Sequence, residues 1–155
     1  MAVILPVACL GVWASRRNVG MVDFANIAEG THEWATTKFP DEEITEPHLL
    51  VKVGTDAMHI AVAGADDLPI GTCPDETTAR DLGVAVPVFI LGKGSTKLMV
   101  ASEAIPAGVE VFGAADGKIA LAGKYRVGVT LTAVTAANEL VEVADTVADS
   151  GTVTQ

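Results

Sequence analysis

The sequence predicts an all-β domain: a small β-barrel or β-sandwich with an extended N-terminal arm and at most one short helix. Two observations carry this. From His48 onward, apolar runs of about four to eight residues, rich in β-branched side chains, alternate with turns bearing Gly, Asp and Asn, the pattern of a many-stranded fold. The composition agrees: of 155 residues 50% are hydrophobic, with 21 Val and 24 Ala, while only 5% are aromatic. A chain of this length makes one domain and can bury a real core.

The first zone, residues 1–47, reads as an extended apolar and aromatic arm followed by an irregular segment. Met1 to Ala14 carry no charge, and Arg16-Arg17 follow directly. A secretory signal places its basic residues before the apolar run, so neither a signal nor a lipid anchor is expected. The run is expected to pack on its own domain or insert into a neighbour, because apolar surface left in water is costly. Both Trp and two of the four Phe also fall in this zone, as Trp13, Phe24, Trp34 and Phe39. Such residues gain nothing from a free loop and are expected to contact something. Pro40 and Pro47 bracket the acidic run Asp41-Glu42-Glu43 and Glu46. Proline disfavours both a continuous helix and a central strand there, and the run reads as a solvated acidic loop.

The second zone, residues 48–145, holds the strands. His48–Val53 is the first candidate, stopped by Gly54-Thr55-Asp56. Ala57–Ala63 follows, with Gly64–Asp67 as its turn, and Leu68–Thr72 is a short third. Asp75–Leu82 fits one or two helical turns with acidic residues at its start and Gly83 at its end, although a loop fits nearly as well. Val84–Leu91 is the most apolar strand, and Pro87 argues for an edge or a bulge. Gly92–Ser95 reads as a hairpin turn into Thr96–Ala101. Gly108–Phe112, Lys118–Leu121, Tyr125–Thr135 and Glu139–Val143 complete the set. Along Tyr125–Thr135, alternation puts Val127, Val129, Leu131 and Ala133 on one face, with Arg126, Thr130 and Thr132 on the other. The Ile-x-Ala-Gly kernel at Ile105–Gly108, echoed at Ile27–Gly30, is a turn device in which glycine can take positive φ. Residues 146–155 read as a flexible tail.

Charge narrows the function classes. Ten Lys+Arg stand against 20 Asp+Glu, for a net charge of −10 and a pI of about 4.5. Such a surface is unsuited to nucleic acid, whose binding is driven by Lys and Arg displacing counterions. Mean hydropathy is +0.41, too apolar for a disordered chain, yet no uncharged apolar run reaches the ~18 residues of a membrane-spanning helix. No membrane partner is expected.

The chain carries no recognisable catalytic constellation. His32, His48 and His59 include no i, i+4 pair and no partner at a metal-ligand spacing, so no metal is expected; His59 reads as a half-buried structural histidine. Cys9 and Cys73 are isolated in sequence and read as small buried hydrophobes of a reducing compartment. Gly92-Lys93-Gly94-Ser95-Thr96 lacks the leading glycine and following helix of a phosphate loop. The expectation is a non-enzyme without cofactors. An alternative is a small-ligand or carbohydrate-binding β-module, since Trp13, Trp34 and Tyr125 could stack on sugars.

The order of motifs resembles a known family. Leu50–Ala63, then Asp67-Leu68-Pro69-Ile70-Gly71-Thr72, then Val84–Gly92, then Leu98–Phe112 with its Val100-Ala101-Ser102-Glu103-Ala104-Ile105-Pro106-Ala107-Gly108 turn, then Asp116-Gly117-Lys118, resembles the small capsid cement (decoration) proteins of tailed bacteriophages. Tyr125–Val143 looks like that family's closing strand pair, and the match covers roughly residues 48–144. The N-terminal zone is longer than the family pattern. The resemblance implies a non-enzymatic β-barrel on the outer capsid surface of a virion, made in the host cytoplasm. It would bridge major capsid protein subunits at two-fold or three-fold positions, self-associating as a trimer first and a dimer second. The capsid or oligomer interface is then expected in the first zone, at Val3, Ile4, Leu5, Leu10, Val12, Trp13, Arg16, Arg17, Phe24, Trp34 and Phe39.

Overall fold

A computed structural model describes residues 35–149. Ten strands form two sheets: β1 (Ala35–Pro40), β2 (Leu49–Val53), β3 (His59–Val62), β4 (Gly71–Cys73), β5 (Val86–Ile90), β6 (Thr96–Val100), β7 (Glu110–Gly113), β8 (Ile119–Ala120), β9 (Arg126–Thr130) and β10 (Leu140–Asp149). The first five close into a barrel in the order β1-β3-β2-β4-β5, and the rest form a curved sheet in the order β6-β10-β9-β7-β8. A bridge between Ala101 and Ile119 brings the two ends of the curved sheet together at one point, which makes it a half-barrel. The predicted all-β class holds, and the only helical turn among the described residues is a single 3-10 turn at Ala115–Gly117.

β1 is the seam of the barrel. Its first four residues pair antiparallel with β5, from Ala35↔Phe89 to Lys38↔Val86. Its last two pair parallel with β3, as Phe39↔His59 and Pro40↔Ile60. The strand lies in the segment expected to be irregular, so residues 35–40 belong to the barrel. Pro40 ends the strand, and the acidic residues after it extend the ladder by other means. Asp41 donates its N–H to the Ile60 carbonyl at 2.8 Å, and the Glu42 carboxylate accepts the Val62 N–H at 2.9 Å. Asp41 in turn accepts both the N–H and the hydroxyl of Thr55, at 2.6 and 3.1 Å. Two carboxylates of the expected solvated loop therefore serve as acceptors at the barrel rim.

The two sheets share side chains. In β2, Leu49 and Val51 point into the barrel with Ile60, Cys73, Val86 and Val88. Leu50, between them, points out of the barrel and enters the half-barrel core with Met99, Ile105, Val111, Ile119, Val127 and Val141. Val100 of β6 reaches the other way, into the barrel cluster. This two-sided burial explains why three consecutive residues of β2 are buried. Cys73 behaves as expected of a small buried hydrophobe: it is free and fully buried, and burial raises its thiol pKa.

Several local expectations change. Gly92–Ser95 is a crossover rather than a hairpin turn, because β5 and β6 belong to different sheets. Pro87 sits in a closed barrel, where the β4 ladder covers Phe89 and Ile90 and stops short of it; its missing N–H is tolerated for that reason. Asp75–Leu82 is not a helix. Thr77 exchanges bonds with Ile44, its N–H going to the Ile44 carbonyl at 2.8 Å and its hydroxyl accepting the Ile44 N–H at 2.9 Å. The Asp81 carboxylate takes the Thr78 N–H and hydroxyl. Such side-chain bonds compete with a helical ladder.

On β9 the predicted face is overturned beyond Val127. The β7 register skips from Val111↔Gly128 to Phe112↔Arg126, so a bulge at Val127 shifts the alternation by one. Thr130 is buried, with its hydroxyl donated to the Pro106 carbonyl at 2.7 Å, whereas Leu131 is exposed. β10 runs on to Asp149, so the sheet extends past residue 145, where the tail was expected to begin. Gly108 does take positive φ, at 77°.

Candidate functional site

The expected interface residues fall almost wholly before β1. Val3, Ile4, Leu5, Leu10, Val12, Trp13, Arg16, Arg17, Phe24 and Trp34 lie outside the described residues, and Phe39 is within them. Phe39 belongs to the outer face of β5-β1-β3.

Register assigns this face. Val86 and Val88 point into the barrel, and directly opposed residues of an antiparallel pair share a side. Their partners Lys38 and Thr36 are thus turned inward, and Ala35, Thr37 and Phe39 outward. Phe89, opposite Ala35, and Pro87, opposite Thr37, lie on the same outer face. Phe89 is 37% exposed, more than an aromatic ring needs in order to close a barrel. The strip from Phe89 across β1 to Phe39 is an apolar ribbon two strands wide.

Its far end carries a polar contact. The rings of Phe39 and His59 stand 5.8 Å apart, tilted by 42°. His59 Nδ1 is 2.7 Å from the Asp56 carboxylate. The hydrogen bond to Asp56 raises the His59 pKa above its ordinary value, with a smaller contribution from Asp41. The same bond, aided by the Met58 N–H, lowers the pKa of Asp56. His59 is therefore a structural histidine at the surface, hydrogen-bonded to Asp56 and tilted against the aromatic residue that ends the ribbon. Lys38 donates to the Ala57 carbonyl at 2.5 Å, which ties the β2–β3 turn to the same strand.

A second polar centre lies at the junction of the sheets and was not foreseen in the sequence. The Asp145 carboxylate accepts the Gly92 N–H at 2.8 Å and the Ser95 N–H at 3.1 Å. Lys97 Nζ stands 3.4 Å from Asp145 Oδ2, with 4% and 0% of the two side chains exposed, and donates to the Ser95 hydroxyl at 2.7 Å. The Gly92–Ser95 loop does cradle an anion, and that anion is the chain's own carboxylate. The signal lay in Gly92 and Gly94, both at positive φ, the conformation that turns successive N–H groups toward one point.

Among the described residues, no group of three or more His, Cys, Asp or Glu is placed to hold a metal ion.

No family model matches this chain, and no curated protein matches it. A solved structure, the N base of the head fiber protein gp8.5 of bacteriophage phi29, shares its fold. The likeness covers 72% of this chain and 92% of that one, at a TM-score of 0.57 and 18% sequence identity. At that identity the likeness speaks for the fold.

Proposed function

We propose that this chain is a structural protein of a phage virion that binds the outside of the assembled capsid and cements major capsid protein subunits together. The observation that carries this reading is that nearly the whole length of a phage head fiber base has the same fold. The ordered cement-protein motifs of residues 48–144 point to the same class independently. The protein acts by contact, without catalysis or cofactor, at the outer capsid surface after synthesis in the host cytoplasm.

The attachment runs through the first zone and the ribbon that continues it. Val3, Ile4, Leu5, Leu10, Val12 and Trp13 supply apolar anchors, Arg16 and Arg17 supply charge, Phe24 and Trp34 precede β1, and Phe39 lies within it. Aromatic and Arg side chains are the types that dominate contact energies, and arms that order on docking trade entropy for broad contact. A net charge of −10 keeps the unassembled protein soluble and disfavours contact with packaged DNA. Self-association, a trimer first and a dimer second, matches the symmetric positions of a shell.

Co-sedimentation with capsids that lack the protein tests this reading. Full-length protein should pellet with the shells and raise their resistance to heat or chelator, and deletion of residues 1–20 should abolish both effects. Full-length protein that stays in the supernatant with every capsid preparation overturns it.

A further inference from the structure

The β4–β5 connection forms a groove on the barrel. Pro47, Pro74, Val84 and Val86 line it, with Asp75 and Glu76 at its rim. Val84 is 54% exposed and the neighbouring Leu82 42%. Thr77, locked to Ile44 by two hydrogen bonds, fixes the groove against the body of the barrel. Asp81 is committed to Thr78 within the loop, and Arg80 acts on Asp81. Asp75 and Glu76 are exposed, and neither is ion-paired to a described cation, whereas Lys52, Lys97, Lys118 and Arg126 all have carboxylate partners. The groove therefore offers apolar Pro47, Pro74 and Val84 beside the exposed carboxylates of Asp75 and Glu76.

We infer that this groove seats the chain's own segment Val12–Arg17. That segment has the complementary order of groups: apolar Val12, Trp13 and Ala14, then Arg16-Arg17, the chain's only adjacent basic pair. Reach is ample. Val86, which borders the groove, is the register partner of Lys38, roughly 10 Å along β1 from Ala35. The 17 residues between Arg17 and Ala35 span up to roughly 60 Å when extended. A tether of that length holds the segment at an effective concentration on the order of millimolar, which favours the same chain over a second copy. Seated there, the basic pair anchors the uncharged run Met1–Ala14 beside the barrel until an outside surface competes for it.

The test is cleavage of the full-length protein by an arginine-specific protease, read by mass at Arg16 and Arg17. Three proteins are compared at several concentrations: the unaltered chain, the Asp75→Lys/Glu76→Lys variant, and a Glu43→Lys/Asp66→Lys variant with the same net charge. All four substitutions fall on exposed side chains. Cleavage at Arg16 and Arg17 should be at least tenfold faster in the groove variant than in the other two, at every concentration. Equal rates in all three, acceleration in the control variant, or protection that appears only as protein concentration rises would each overturn the inference. No capsid is involved, so the outcome is separate from that of the co-sedimentation experiment.

Discussion

Lys97 and Asp145 form a buried ion pair across β6 and β10, 3.4 Å apart, and the carboxylate also closes the turn that joins the two sheets. The pair is asymmetric. Asp145 serves Lys97 and two backbone N–H groups, while Lys97 has the Ser95 hydroxyl as a second partner.

Asp145→Ala should therefore be the more damaging change. It strands a buried ammonium and leaves the Gly92 and Ser95 N–H groups without their acceptor, at a cost of about 3–5 kcal/mol. Lys97→Met should cost about 1–3 kcal/mol, because the carboxylate keeps two N–H donors. Urea unfolding of both variants measures the difference, and an equal or larger loss in Lys97→Met would contradict the asymmetry.

Gly92 and Gly94 separate backbone conformation from space. Both have positive φ, 76° and 72°, so alanine at either position incurs the left-handed penalty of roughly 1–2 kcal/mol. A Cβ at Gly92 would also run into the Val147 side chain and backbone, while one at Gly94 meets nothing within 4 Å. Gly92→Ala should lower the thermal midpoint well beyond Gly94→Ala. Similar midpoints for the two would remove Val147 from the account.

His59 should make stability depend on pH. Its folded-state pKa is raised, first by the bond to Asp56. The stabilisation is thus fully present below the unfolded value of about 6.5 and is lost as pH rises through the higher folded value. Asp56 works at the other end: its pKa is lowered, first by His59, so its contribution is present above about 3.9 and fades as pH falls through the depressed value. Unfolding midpoints at pH 5.5 and pH 8.5 should differ more in the unaltered protein than in His59→Gln. Parallel pH profiles would assign no role to the pair.

The strands themselves were legible because strand formation is read from local pattern. Val86–Ile90, Thr96–Val100 and Leu49–Val53 all sit inside runs marked by β-branched residues and bounded by glycine or proline. Phe39 was legible as a residue needing a contact, though not that His59 would provide it. The bulge at Val127 was hidden, since an extra residue in one strand shows only against its partner, and it moved Thr130 inward and Leu131 outward.

By itself, then, the sequence determined an all-β domain, most of its strands, and the positive φ of the Gly108 turn. Only the tertiary structure decided which strands are neighbours. It split the consecutive strands β5 and β6 between two sheets, drew Ala35–Pro40 out of an irregular-looking zone to close the barrel, and turned a glycine-rich connection into the cradle of Asp145, about 50 residues away. The reason is physical. Strand propensity and turn conformation are set by neighbours along the chain, whereas pairing partners and buried charges are chosen by what else must be covered once the chain has folded back on itself.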